Sequence, residues 1–436
     1  MSASGAMAPT RMVGLADEME AALREHVRHA WFPRCIDRER GGFLSGFDRR
    51  WQAHGPQQRM LEFQARQTRA AARLALRYPT DGDLAEHALH GFRYLRDVMW
   101  DHAGGGGWFW LLEADGTPVA AETKHAHSGS YAVQAGAVVF AATGDQSALE
   151  MALEGFDWFE RHSWDAEHGG YHGWLRRDGS VIRNAAELPA GLPSEDPLNH
   201  EVGLKDINVQ GDWFEALLDL LPHTASAGVR ERLESLAALY LDTLTRDDGR
   251  TIFTLSPEWV PQPGPEHFGY GLQGAHRLLD GDAVVPSIGL AERGEALAIH
   301  AYRAARRQGG GYALTNGTAR RGPINFSRFD PQRRAWWVQF EALRTAAQFA
   351  VRPGRHEAAF GRVLERQWSY VSRAMLDGKF GGVFGTDPAD LMPWERPLVR
   401  ANGQYLSKGS LWRDASHETD ALIAAMRDLR AAAAVR

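Results

Sequence analysis

Long stretches of the chain repeat apolar and polar residues with the period of an α-helix. The clearest begin at residues 61, 130, 212, 336 and 416 and read LEFQARQTRAAARLALRY, SYAVQAGAVVFAATG, DWFEALLDLLPHT, WWVQFEALRTAAQFAV and SHETDALIAAMRDLRAAA. Several are rich in Ala and have a narrow polar face, which is typical of helices packed on two sides. No alternation of strands and helices indicates a parallel sheet. The pattern predicts a mostly helical protein.

A turn-like signal recurs six times between the helical segments. Each copy has a Gly pair, a Gly run or an Asp-Gly with an aromatic or β-branched residue nearby, and the copies lie at residues 37–43, 101–108, 165–171, 247–253, 308–312 and 377–385. The spacing of roughly 60 to 80 residues suits two helices and two loops. Six helix pairs would use the whole chain, which favours an all-α fold of the (α/α)6 barrel type. Ordinary use of Gly in loops and a tandem helical solenoid are the alternatives, although solenoid repeats are usually shorter.

The segments after the Gly signals indicate small additions to the barrel. WFWLLEADGTPV at 108–119 and YHGWLRRDGSV at 171–181 have the Asp-Gly turns of short β-hairpins, which we place in the loops on one face. The longest irregular stretch, at 175–206, is a candidate lid. No linker or low-complexity segment divides the chain. We therefore expect a disordered tail at 1–12 and a single catalytic barrel domain at 13–436.

Charge and composition narrow the range of partners. The net charge is −6, and the basic residues are scattered among acidic ones, which argues against nucleic-acid binding. No window approaches a membrane span, and the first residues do not have the pattern of a signal peptide. The only cysteine, Cys35, excludes an internal disulfide framework and a Cys-rich zinc site. We expect a soluble, cytoplasmic protein without a nucleic-acid or membrane partner.

Aromatic and polar residues indicate a sugar-sized ligand. The chain has 15 Trp, many of them at predicted loops or helix starts. The C–H face of a sugar ring packs on an aromatic plane, while its hydroxyls need charged or amide partners. We expect a small-molecule sugar or sugar-like ligand, although many of these Trp residues would equally serve as core fillers.

Four helical segments gather polar residues that would point in one direction. In KDINVQGDWFEA, Asn208, Asp212 and Glu215 fall on one helix face. In HFGYGLQGAH, Tyr270 and Gln273 share a face. The other two segments place Gln339 and Glu341 after the Trp336–Trp337 pair, and Trp412 and His417 on either side of a helix start. Each could be a solvated face when taken alone, but together they indicate a site.

These segments resemble the N-acylglucosamine 2-epimerase superfamily, which includes cellobiose 2-epimerases, mannose isomerases and sulfoquinovose isomerases. The most specific pieces are RAWWVQFEAL at 334–343 and KGSLWRDASHE at 408–418, and the similarity begins near the QARQTR helix at residue 66. The resemblance covers nearly the whole chain and implies a single (α/α)6 barrel. Because the family often forms dimers through barrel helices, it also leaves a homodimer as an expectation.

The resemblance implies roles for particular residues. An Arg on an early helix of the family stabilises the oxygen of an open-chain sugar, and Arg66 matches it. The terminal Trp-x-x-x-x-His element is intact as Trp412 and His417. Asp212, however, stands where the family has one His. Tyr270 replaces a second His, and Gln273 replaces a Glu.

The substitutions matter because the family chemistry is proton transfer. Removing the weakly acidic C–H proton beside a carbonyl requires a base and a cation near the developing oxyanion. Asp, with an ordinary pKa of about 3.9, is a weak base, and Tyr, at about 10, is a better acid than base. An aldose–ketose isomerase with one base remains possible on these residues, whereas an epimerase with two bases needs more.

Three functions follow. The first is a sugar isomerase or epimerase without metal or cofactor, with a catalytic set of His417, Arg66, Asp212 and Tyr270. The second is a hydrolase or lyase that uses Asp212 as acid or base, since unsaturated glucuronyl hydrolases have a similar architecture. The third is a non-catalytic role in ligand binding. For the substrate pocket the candidates are Asn208, Gln273, Trp337, Trp412, His127 and Glu201.

Overall fold

The computed structural model describes residues 5–119, 123–188, 202–285, 289–316, 333–390 and 407–436. Twelve helices of 13 residues or more lie within these ranges, which confirms the predicted helical class. They are α1 Pro9–Ala22, α2 Leu61–Arg77, α3 Gly82–Tyr94, α4 Ala126–Thr143, α5 Gln146–His162, α6 Ile207–Leu220, α7 Ala227–Leu239, α8 Phe268–Asp282, α9 Leu290–Ala304, α10 Trp336–Val351, α11 Glu357–Tyr370 and α12 Ser416–Val435. Among the described helices, none is both long and apolar enough for a membrane span.

Shorter helical pieces extend some of these elements. Four helices, α1, α3, α7 and α11, continue into a wider π-helical turn, at Leu23–Arg28, Leu95–Met99, Tyr240–Leu244 and Val371–Met375 respectively. A single helical turn, His29–Trp31, follows the first of them. Short 3₁₀ turns occur at Ala185–Glu187, Leu221–His223 and Pro388–Asp390.

The twelve helices form a closed double ring. The even-numbered helices α2 to α12 pack side by side in chain order, and α12 also packs against α2, which closes the inner ring. The outer helices α3, α5, α7, α9 and α11 each pack on the inner helix that precedes them. Helix α1 packs on α12, so the two ends of the described chain form the sixth pair. This is the predicted (α/α)6 barrel.

Small residues let the two rings approach closely. The inner helix α4 is buried on almost all sides, as its apolar composition predicts. A Cβ at Gly136 would lie 2.6 Å from the carbonyl oxygen of Ala148 on α5, so only Gly allows this separation. Close backbone approach of this kind explains why the inner segments are rich in Gly and Ala rather than in large apolar residues.

The first helix begins earlier than the sequence suggests. Residues up to 12 were predicted to be a disordered tail, but α1 starts at Pro9 and Met12 is fully buried. The predicted boundary is therefore wrong for residues 9–12. The physical reason is that α1 covers α12 and completes the outer ring.

Short antiparallel strand pairs connect successive loops at one end of the barrel. They are β1 Arg59–Met60 with β2 Leu111–Leu112, β3 Lys124–His125 with β4 Trp174–Leu175, and β5 Lys205–Asp206 with β6 Thr254–Leu255. The predicted Asp-Gly hairpins are also present, since Leu112 bridges Pro118 and Leu175 bridges Val181. Strands β1, β3 and β5 each lead directly into an inner helix, so this end of the barrel is where the inner helices start.

The repeated Gly signals belong to loops that are held by the inner helices. The side-chain amide of Gln64 accepts a hydrogen bond from the backbone N–H of Phe43 and donates one to its carbonyl oxygen, both at 2.8 Å. Gln210 binds the backbone of Tyr171, and Gln339 binds that of Tyr312, in the same way at 2.8 to 3.0 Å. The Gly before each held residue is required, because a Cβ there would lie 2.6 to 3.0 Å from the Gln oxygen. Three of the six turn signals, at residues 37–43, 165–171 and 308–312, thus have a structural role, and Gln339 is one of the glutamines that bind them.

A second repeated contact fixes the start of the inner helices. Three fully buried lysines that precede inner helices each bind the Asp that opens a Gly turn. Lys124 binds Asp101 at 3.1 Å, Lys205 binds Asp165 at 2.7 Å and Lys408 binds Asp377 at 2.9 Å.

The candidate lid at 175–206 lies partly outside the described residues and stays a prediction.

Candidate active site

The candidate side chains gather at the end of the barrel where the inner helices begin. Each inner helix contributes from its first or second turn, and the contributors are Arg66 on α2, His127 on α4, Asn208 and Asp212 on α6, Tyr270 and Gln273 on α8, Trp337 and Glu341 on α10, and His417 on α12. Because the N-terminus of a helix is the positive end of its dipole, this end of the ring favours negative charge on a ligand oxygen.

His417 lies between a guanidinium and a carboxylate. Its Nε2 is 2.5 Å from Nη2 of Arg66, and its Nδ1 is 2.6 Å from Oε1 of Glu341. A guanidinium can only donate hydrogen bonds, so Nε2 must be the acceptor and Nδ1–H must donate to Glu341. This tautomer leaves the lone pair of Nε2 as a proton acceptor, oriented by a carboxylate on the opposite side of the ring.

Glu341 connects His417 to a second buried histidine. Its Oε2 lies 2.5 Å from Nε2 of His276, which is fully buried on α8. Burial opposes ionisation, but the two imidazoles hold the pKa of Glu341 well below its ordinary value. His276 was not predicted as a site residue from the sequence. The spacing of three residues from Gln273 to His276 within one helix was the available signal.

Arg66 is buried and keeps its charge. Its Nε lies 3.4 Å from Oδ2 of Asp414, and its guanidinium carbon lies 4.9 Å from the centre of the Tyr131 ring. Burial lowers the pKa of Arg66, but nearby acids, Asp414 first among them, outweigh burial and raise it. A fixed cation next to His417 is the arrangement that an oxyanion requires.

Asp212 is engaged by two cations. One oxygen binds Arg277, and the other lies 2.8 Å from Nε2 of His127. Burial raises the pKa of Asp212, but Arg277 and His127 more than offset that and lower it. Arg277 also binds Glu215, so this part-buried carboxylate is paired with a cation. These contacts fit a counter-ion better than a proton carrier, which weakens the hydrolase alternative.

His127 lies between two carboxylates. Its Nδ1 is 3.3 Å from Oε1 of Glu62, and its Nε2 also lies 2.9 Å from the Asn208 amide nitrogen. Burial disfavours the charged ring, yet Asp212 and Glu62 raise the pKa of His127 to about 10. Glu62 was not predicted as a site residue from the sequence, although it precedes Arg66 by one helical turn and therefore shares its face.

A series of aromatic rings in contact extends from the start of α8 to His417. Tyr270 is half-buried, with ring centres 5.2 Å from Phe253 and 5.4 Å from Trp337, and Trp337 is 5.8 Å from His417. Gln273, one turn after Tyr270, is buried, and its Oε1 accepts no hydrogen bond from the described residues. This surface offers an apolar ring face beside an amide oxygen that a ligand hydroxyl can satisfy.

Trp412 belongs to a small second apolar cluster. It packs half-buried against Met60, Trp110, Trp174, Ile182 and Val202. Trp110 donates its indole N–H to Glu62 Oε1 at 3.3 Å, so the cluster touches the polar site through Glu62. Glu201, the remaining candidate, lies outside the described residues.

Comparisons with known proteins agree with this architecture. The family model for N-acylglucosamine 2-epimerase matches residues 41–186. Cellobiose 2-epimerase from Bacteroides fragilis is 24% identical over 332 residues, which cover 76% of this chain and 80% of that protein. Among solved structures, cellobiose 2-epimerase from Spirochaeta thermophila superposes with a TM-score of 0.80 at 22% identity. The superposition covers 97% of this chain and 98% of that structure. A D-mannose isomerase has a TM-score of 0.75 at 19% identity, with coverage of 96% and 97%.

The fold and the site therefore define an (α/α)6 barrel with a polar site at the amino ends of its inner helices. The structural similarities show this fold, and the family model and the sequence relatives place the chain within it. The chain is similar to the N-acylglucosamine 2-epimerase family, whose model matches residues 41–186, about a third of its length.

Proposed function

We propose that the protein is a sugar isomerase or epimerase that moves a proton next to the carbonyl of an open-chain sugar. The observation that carries this proposal is the tautomer of His417, whose Nε2 lone pair is oriented by Glu341 and lies beside Arg66. The similarity to cellobiose 2-epimerases and a mannose isomerase supports the same reaction class.

The reaction begins when the sugar carbonyl oxygen takes the place of His417 as the acceptor of the Arg66 N–H groups. Nε2 of His417 then removes the proton from the carbon next to the carbonyl, and the electron pair moves into an enediolate. Arg66 and the positive ends of the inner helices stabilise the oxyanion, while Glu341 stabilises the imidazolium. Return of the proton to the neighbouring carbon gives the isomer, and return to the same carbon on its other face gives the epimer.

The described residues favour aldose–ketose isomerisation over epimerisation. A single base can remove a proton and return it on the same face of an enediolate, whereas epimerisation needs a proton donor on the opposite face. Asp212 is held by Arg277 and His127 and is a poor second base. Tyr270 supplies a hydroxyl near Trp337, and we assign it the transfer of a proton between the two sugar oxygens.

The pocket residues would bind the rest of the sugar. We infer that Trp337 and Trp412 pack on the ring carbons, and that Gln273 and Asn208 bind hydroxyls, with Glu201 as a further candidate. The proposed proton transfer uses only side chains of this chain and requires no cofactor. We further propose a cytoplasmic enzyme without a nucleic-acid partner, on the ground of its scattered charge, and a homodimer by analogy with the family.

Proton NMR in deuterated water tests the reaction directly. The purified protein is incubated with a panel of aldoses, ketoses and disaccharides, and new sugar signals are recorded together with deuterium at the carbon next to the carbonyl. We expect a new isomer with label from the wild type and none from His417→Asn. The exposed His54 provides the matched control, since His54→Asn should leave both signals intact. Absence of exchange with every sugar would contradict the proposal.

A further inference from the structure

We propose that Glu62, His125 and His127 form a binding site for a divalent transition-metal ion, and that Zn²⁺ suits it best. Each residue offers one ligand atom, and the three atoms lie within 4.8 Å of one another. All three residues are buried, with 1%, 3% and 2% of their surfaces exposed. Two imidazole nitrogens and one carboxylate oxygen are a ligand set that Zn²⁺ accepts in proteins, with a fourth position left open.

The two sides of the His127 ring differ in a way that favours a metal on one side. Between Nε2 and Asp212 Oδ2 the distance is 2.8 Å, which is that of a close ion pair. Between Nδ1 and Glu62 Oε1 it is 3.3 Å. That length is long for such a pair, and it equals the separation of about 3.3 Å expected between two ligands of a tetrahedral Zn²⁺ with bonds of about 2.0 Å.

The surroundings of the three residues supply the outer contacts that metal sites need. The second ring nitrogen of a histidine ligand is usually held by a neighbouring polar group, which fixes its tautomer, and Nε2 of His127 lies 2.8 Å from Oδ2 of Asp212 and 2.9 Å from the amide nitrogen of Asn208. Trp110 donates to Oε1 of Glu62 at 3.3 Å and so orients that carboxylate. The other oxygen, Oε2, is buried and forms no hydrogen bond with the described residues.

Rigid elements hold the ligands. His125 is the second residue of β3, where it pairs with Trp174 in register, and its ring centre lies 4.5 Å from that indole. His127 follows in the first turn of α4, while Glu62 comes from the first turn of α2. Glu62 lies 63 positions before His125 in the chain, so the three ligands meet only because the inner ring brings α2 and α4 together.

The proposed site does not depend on the proposed sugar chemistry. Its ligands are distinct from His417 and Glu341, which form their own pair at 2.6 Å. A failure of metal binding would therefore leave the isomerase proposal untouched, and a protein without sugar activity could still bind the ion.

Metal content and the spectrum of a Co²⁺ form test the proposal. The full chain, freed of any purification tag, is dialysed against Zn²⁺ and then against metal-free buffer, and bound metal is measured by plasma mass spectrometry. We expect about one Zn²⁺ per chain. Replacement by Co²⁺ should give visible d–d absorption from a coordinated ion.

Variants locate the ion. Glu62→Gln keeps the shape of the side chain, and His125→Gln removes a ligand that does not lie between two carboxylates, so both should fold, as circular dichroism can verify. Each should lower bound metal at least tenfold and abolish the Co²⁺ spectrum, while His54→Gln should retain both. Less than about a tenth of an equivalent in the wild type with Zn²⁺, Co²⁺, Ni²⁺ and Mn²⁺ would overturn the proposal. So would full metal content in both variants.

Discussion

Nη2 of Arg66 lies 2.5 Å from Nε2 of His417, although the two residues are 351 positions apart in the chain. Arg66 belongs to the first inner helix and His417 to the last, and the contact of α2 with α12 is the one that closes the ring. The central pair of the site is thus formed by closure of the barrel. Disturbing that seam should affect both stability and the proposed chemistry.

Arg66→Lys tests the role of the guanidinium without removing the charge. A lysine has a single ammonium and cannot meet both His417 and Asp414 as Arg66 does, at 2.5 Å and 3.4 Å. We expect kcat for sugar isomerisation to fall about 10²- to 10³-fold, as for the loss of an oxyanion donor. The exposed Arg38 gives the control Arg38→Lys, which should have wild-type kinetics. Equal rates for both variants would remove Arg66 from the mechanism.

Glu341→Gln tests the orientation of His417. The glutamine amide is uncharged, so it no longer offers a charged acceptor to Nδ1–H of His417. The same side chain also contacts Nε2 of His276 in the wild type, and that contact loses its charge as well. By analogy with other carboxylate–histidine pairs, we expect kcat to fall about 10²- to 10⁴-fold with little change in KM. Steady-state kinetics at saturating sugar measure this, with circular dichroism as the check on folding. A variant that raises only KM would indicate that Glu341 acts in substrate binding.

Tyr270→Phe separates the hydroxyl from the ring. The phenylalanine keeps the ring contacts with Phe253 and Trp337, whose ring centres lie 5.2 Å and 5.4 Å away. If the hydroxyl moves a proton between sugar oxygens, kcat should fall about 10²-fold while KM stays the same. Tyr270→Ala should raise KM as well, because the apolar face is lost. An unchanged kcat in Tyr270→Phe would restrict Tyr270 to packing.

Gly269→Ala tests how Trp337 is positioned. A Cβ at Gly269 would lie 2.2 Å from the Trp337 ring, whereas a Cβ at Gly271 in the same helix meets nothing closer than 3.6 Å. We expect Gly269→Ala to displace the indole, to raise KM and to destabilise the fold by about 1 to 3 kcal/mol. Gly271→Ala is the matched control and should be neutral or stabilise by about 0.5 to 1 kcal/mol. Chemical denaturation and kinetics of the two variants provide the comparison.

The sequence predicts the barrel well because its signals are local and repeated. The helical period and the Gly turns are visible in the sequence, and three of the turns share one contact, in which Gln64, Gln210 or Gln339 binds the backbone of the residue after the Gly. The tail boundary was wrong because burial of Met12 depends on α12, at the other end of the chain. Local patterns contain no information about that partner.

The site was predicted less completely for the same physical reason. The motifs named His417 and Arg66 as catalytic candidates and Glu341 only as a polar residue of its helix, and the structure brings the three side chains together. Glu62 and His276 were missed, since a charged or polar residue in a helix is usually exposed and its burial requires partners from other helices. The ion pairs of Asp212 likewise could not be read from its own helix.

Stability towards acid should depend on the Asp377 contact. Burial raises the pKa of Asp377, but Arg49 and Lys408 outweigh burial and hold it well below the ordinary 3.8. A carboxyl with a lowered folded pKa adds stability above its unfolded pKa, and this contribution is lost as the pH falls through the folded pKa. We therefore expect the free energy of unfolding to fall progressively below about pH 4.

Asp377→Asn should remove this contribution. The variant leaves Lys408 fully buried without its carboxylate, which should cost about 3 to 5 kcal/mol at neutral pH. The gap between wild type and variant should narrow below about pH 4, because the unfolded wild-type carboxyl then takes up a proton that the folded carboxyl binds only at lower pH. Urea titrations at several pH values measure the gap, and the exposed Asp83, as Asp83→Asn, provides the control. A gap that stays constant from about pH 5 to about pH 3 would show that the loss comes from packing in the loop, because a contribution from charge pairing must shrink once the unfolded carboxyl is protonated.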